Sequence, residues 1–120
     1  MHEAIRAAFA TEMRLAGDAR RAGDLAAAFA HLERAHILGQ RDTWRHLRSH
    51  VGMLRIGWRR RDPREVAGQL ARMLAAALFS RIWVPLGNTG GANVSAMRPM
   101  PMPEDLRRLF ELAEPPAPRA

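Results

Sequence analysis

The chain has 120 residues, 48% of them hydrophobic, no cysteine and a formal net charge of +7. That length suits one domain with one core, and the missing cysteines exclude disulfides, thiolate metal sites and cysteine nucleophiles. All 19 basic residues are Arg. Together with abundant Ala, Gly and Pro this points to a GC-rich coding background, so net charge is the only argument for a nucleic-acid partner, and none is expected.

The opening, Met1-His2-Glu3-Ala4-Ile5-Arg6, lacks the apolar core of a signal peptide. Met73 to Phe79 is the longest apolar-rich stretch, far short of the ~20 residues a membrane span needs. A cytoplasmic protein without a membrane partner is the expectation.

In chain order, the first predicted element is a helical hairpin over residues 9–39. Its second helix starts after Gly23, with Asp24 as N-cap. Leu25, Ala28, Phe29, Leu32, Ala35 and His36 then share one face at helical spacing. A third helix is expected from about Asp42 to Arg60. Trp44, Leu47, Val51, Leu54 and Trp58 form a stripe expected to be buried. Arg41, Arg45, Arg48, Arg55 and Arg59 form a second stripe about 100° around the helix. A fourth helix opens at Asp62-Pro63-Arg64-Glu65, a capping-box-like start. The third and fourth helices make the second hairpin, residues 42–80.

Residues 81–103 change character. Gly87 to Ser95 reads as a polar loop, and Met97 to Pro103 as a Met/Pro strap lying on the surface. A short helix follows over 104–113, then a Pro-rich tail, 114–120, expected to be disordered. The fold class is therefore all-α. Two stacked antiparallel hairpins form a four-helix domain over 1–113, with an irregular Gly/Pro-rich segment and a short C-terminal helix.

Two resemblances add to this. The run Ala22 to Ala35 resembles the second half of a tetratricopeptide repeat, with Ala28, Leu32 and Ala35 at its small, large and small positions and Leu15 and Ala16 at the first-helix packing pair. Ala19 stands where that family carries a large aromatic. The second resemblance spans most of the chain. Leu32 to Gln40, the His46/His50 pair, Gly68-Gln69 and Trp83 to Ser95 are similar to a family of short bacterial proteins known only as a domain of unknown function. It implies bacterial origin and a stand-alone domain, and it brings no activity.

Candidate chemistry centres on histidine. His46 and His50 are four apart on one helix, a spacing at which two rings can share a metal ion. His36 lies on the apolar face of the preceding helix and reaches them if the two helices are neighbours. Glu33 is a weaker fourth ligand. Imidazoles of this kind suit Zn, Cu, Ni or Fe. Core or solvated histidines are the plainer alternative; His31 and His2 are expected in solvent. Asn88, Thr89, Asn93 and Ser95 form a candidate ligand-binding loop, with a self-capped turn as its alternative. Arg48 and Arg55 are candidate partner contacts on a face that otherwise serves only solvation. No nucleophile arrangement or paired-carboxylate site can be assembled, so no catalytic residue is named and an enzyme is not favoured. The leading expectation is a metal-binding helical protein. A tetratricopeptide-like protein-protein adaptor without metal is the alternative, and an enzyme built on the Asn-Thr-Gly-Gly loop is a weaker third.

Overall fold

The computed structural model describes residues 2–79, 90–91 and 99–113. Among them are five helices: α1 (Glu3–Arg21), α2 (Leu25–Gly39), α3 (Thr43–Arg59), α4 (Pro63–Phe79) and α5 (Glu104–Ala113). The described part is all-helical, as the periodicity implied. Helix α1 starts earlier than expected. Ile5 extends the apolar face beyond Phe9, and the His2 ring accepts a bond from the Ala4 N–H to cap the first turn.

Three aspartates set the other helix starts. The carboxylates of Asp24, Asp42 and Asp62 accept bonds from the backbone N–H of Ala27, Arg45 and Glu65 at 3.0, 3.0 and 3.1 Å. Each such cap contributes about 1 kcal/mol. Gly23, with φ at 80°, takes the left-handed conformation that ends α1.

The helices pack as two hairpins laid side by side. Helix α1 packs on α2, α2 on α3 and α3 on α4, while α5 returns to α1. One apolar cluster joins Ile5 and Phe9 of α1, Ala35, Ile37 and Leu38 of α2 and Leu106 of α5; Met102 of the strap packs against it. A second joins Ala16, Ala28, Leu32, Met53 and Ile56. Burying a side chain the size of Phe9 or Ile56 contributes about 1.5–3 kcal/mol. Between the clusters sits Glu12. Its carboxylate lies 2.7 Å from His31 Nδ1 and 2.8 Å from Arg34 Nε, and Arg34 reaches on to Asp105 of α5. His31 is thus half-buried and paired, not solvated.

Helix α3 reverses one expectation. Its aromatic stripe faces outward, with Trp44 67% and Trp58 74% exposed. The buried face carries His46, Ser49, His50, Met53, Ile56 and Gly57. Small residues explain the choice. A Cβ at Gly52 would stand 2.5 Å from Leu32 Cδ2, so the Leu32 side chain occupies the space that a side chain at position 52 would take and would have to shift to admit one. A face built on tryptophans offers no such space.

Candidate metal centre

That close crossing delivers the histidines. His36 is in the last turn of α2; His46 and His50 lie one turn apart on α3, and all three are buried. His46 Nε2 is 2.8 Å from His36 Nε2 and 3.1 Å from His50 Nε2. Each ring offers one nitrogen to a common centre, these atoms lying within 4.8 Å of one another.

Burial keeps two of the rings, His46 and His50, neutral. Burial pushes the His46 pKa down to about 4, and the neighbouring His50 pushes the same way. Burial likewise takes His50 down to about 4; its bond to Gln69 opposes this and the Arg72 charge adds to it. Neutral imidazoles carry the lone pairs that ligate metals.

Hydrogen bonding alone leaves the cluster poorly satisfied. A ring nitrogen has either one proton or one lone pair, yet His46 Nε2 faces two other ring nitrogens at contact distance. On its far side, His46 Nδ1 is buried with no hydrogen-bond partner among the described residues. Buried polar atoms in such a state cost about 1–3 kcal/mol each. A cation accepting three lone pairs at once fits the donor set better than shared protons do. With metal–nitrogen bonds of about 2.0–2.1 Å, tetrahedral ligand nitrogens stand about 3.3 Å apart. The His36–His46 and His46–His50 contacts, at 2.8 and 3.1 Å, would each open by a few tenths of an ångström, with all three ligand nitrogens already within 4.8 Å of one another.

Helix α4 and one glycine complete the surroundings. Gln69 Oε1 lies 2.6 Å from His50 Nδ1. The Gln69 amide nitrogen donates to Glu65 Oε1 at 2.6 Å and to the Gly90 carbonyl at 2.9 Å, and sits 3.3 Å from Met53 Sδ. Arg72 Nη1 also donates to the Gly90 carbonyl, at 3.2 Å. Gly90 itself lies on the His36 ring. Its φ is +83°, and a Cβ there would stand 2.6 Å from His36 Cδ2 and 2.8 Å from Nε2. A side chain here would be strained by the positive φ and would press on the His36 ring.

Of the residues singled out from the sequence, His36, His46 and His50 are brought together. Glu33 is half-buried on α2 and does not belong to the group of converging ligand atoms. Arg48 and Arg55 are exposed; Arg48 stacks over the Phe9 ring at 5.7 Å. Asn88, Thr89, Asn93 and Ser95 lie outside the described residues, as does the tail. Gly90 belongs to the loop Gly87 to Ser95 that the sequence offers as a candidate site loop, whereas Gln69 was not anticipated as a site residue. For Gln69 a signal existed: it stands at helical spacing between Val66 and Met73 on the face that α4 turns inward.

A family model described as "Protein of unknown function (DUF3703)" matches residues 3–110. This chain belongs to the DUF3703 family. The match spans every residue of the histidine cluster and its supports, and it assigns the DUF3703 chain no activity. No curated protein and no solved structure matches the chain. None of the described helices is long and apolar enough to cross a membrane.

Proposed function

We propose that this DUF3703 protein binds one divalent transition metal ion through His36, His46 and His50. The observation that carries this reading is the convergence of three buried ring nitrogens, with contacts of 2.8 and 3.1 Å between them. Two of the rings are held neutral by their surroundings. Zn, Cu, Ni and Fe all accept imidazole ligands, and three neutral nitrogens leave room for a fourth ligand. The test uses protein purified without an affinity tag. Metal content is measured by elemental analysis, then zinc and cobalt are titrated into chelator-treated protein. One equivalent of metal and a rise in melting temperature are expected, since a ligand of the native state stabilises it. A His46→Ala, His50→Ala variant should lose both. Absence of bound or acquired metal in the natural chain overturns the reading.

A second reading has its own observation. Trp58 and Leu70 are 74% and 54% exposed and line a groove between α3 and α4 with Leu54, Arg55 and Val66. Apolar surface flanked by arginine suits a protein segment carrying apolar and acidic side chains, the adaptor alternative. Charge reversal at Arg55, which lines the groove, should weaken capture of such a segment; Arg48 stacks over Phe9 and is not among the lining residues. Unchanged capture removes Arg55 from the interface.

A further inference from the structure

Three nitrogens form a metal site only if each presents a lone pair inward, and nothing intrinsic to an imidazole ensures that. A neutral ring places its single proton on either nitrogen, and the partner of the outer nitrogen decides which. For His50 that partner is Gln69, at 2.6 Å from Nδ1. A glutamine can present either end to a ring nitrogen, so its own orientation must be fixed first. Here the Gly90 carbonyl fixes it. A carbonyl oxygen only accepts, and it lies 2.9 Å from one end of the Gln69 amide. That end must be the NH2 group; the reverse would set two acceptor oxygens against each other. Glu65 Oε1, 2.6 Å from the same nitrogen, takes its second proton. Oε1 is thereby left to face His50 Nδ1, and an oxygen acceptor requires an N–H there.

We infer that Gln69 is a positioning residue that fixes His50 with its proton on Nδ1 and its Nε2 lone pair turned towards His36 and His46. The chain of constraint runs from the Gly90 peptide through Gln69 to His50, linking a backbone carbonyl to the readiness of a metal ligand. Its value for metal binding rests on the function proposed above; the tautomer itself does not. Outer partners of ligating histidines commonly contribute 10–100-fold to metal affinity.

The experiment has two readouts on the full chain at neutral pH. Long-range proton–nitrogen NMR of the chelator-treated protein distinguishes protonated from bare ring nitrogens at His50. Zinc titration gives the affinity. In the natural chain His50 should show a protonated Nδ1 and a bare Nε2. Gln69→Met, which keeps the bulk and removes the acceptor, should move proton occupancy to Nε2 and weaken zinc binding by about 10–100-fold. A protonated Nε2 in the natural chain overturns the inference, and that measurement needs no variant to fold. An unchanged tautomer in a folded Gln69→Met protein overturns it equally. If the tautomer is as stated but zinc does not bind, the positioning role stands and the metal reading fails.

Discussion

Gly52 of α3 lies so close to Leu32 of α2 that a Cβ at position 52 would stand 2.5 Å from Leu32 Cδ2 and 3.2 Å from Cδ1. Leu32 packs directly over Gly52 where the two helices that carry the histidine cluster meet. Gly52→Val should therefore push them apart. Overpacking of this kind costs about 1–3 kcal/mol, while leaving glycine within a helix returns only a few tenths. Zinc affinity should fall by about tenfold or more, because His36 moves relative to its two partners. Denaturant titration and zinc titration check the two effects. A variant with unchanged affinity would show that this crossing does not set the cluster.

Stability of the metal-free chain should depend on pH in a defined window. His46 and His50 have folded pKa values of about 4, below the value near 6.5 expected in the unfolded chain. Between those values the unfolded state binds more protons, so stability rises with pH. It is fully present above about pH 6.5 and is lost as pH falls towards 4, by a few kcal/mol in total. Urea midpoints of chelator-treated protein between pH 4 and 7.5 measure this. A His46→Ala, His50→Ala variant should lose most of the slope.

The hairpins were legible because their signals are local. Asp24, Asp42 and Asp62 announce helix starts, and apolar spacing fixes the inner face of α2. The histidine cluster was legible for a related reason: His46 and His50 share a face by spacing, and His36 falls on the buried side of α2. Helix α3 misled because it has two plausible inner faces. Hydropathy favours Trp44, Leu47, Val51, Leu54 and Trp58, whereas close packing against Leu32 selects the side with Ser49 and Gly52. That choice depends on a neighbour 20 residues away, which periodicity does not record. Gln69 and Gly90 join the site through tertiary contacts to His50 and His36, and no spacing rule connects them.

The Glu12 junction offers a contrast between two carboxylates bonded directly or through one arginine. Glu12 is 8% exposed and holds both His31 and Arg34, whereas the Asp105 side chain is 64% exposed. Removing a buried acceptor strands its donors; removing a solvated one does not. Glu12→Ala should cost about 1–3 kcal/mol, and Asp105→Asn less than about 1 kcal/mol. Urea denaturation of both variants decides the matter. Equal costs would mean that the tie to α5, not the buried carboxylate, dominates the junction.

The outward stripe of α3 gives the sharpest contrast between hydropathy and packing. If Trp58 belonged to the core, truncating it would cost about 3–5 kcal/mol. At 74% exposure it leaves little cavity behind, and substitutions at such positions stay within about 0.5 kcal/mol. Trp58→Ser should therefore leave the urea midpoint almost unchanged. Val51, two turns earlier on the same stripe, is half-buried, and Val51→Ser should cost more than the tryptophan change despite removing fewer atoms. That inversion of cost against size is the mark of a helix whose largest apolar residues face away from its core. A large loss of stability from Trp58→Ser would place the stripe inside after all, and with it would go the groove on which the adaptor reading depends.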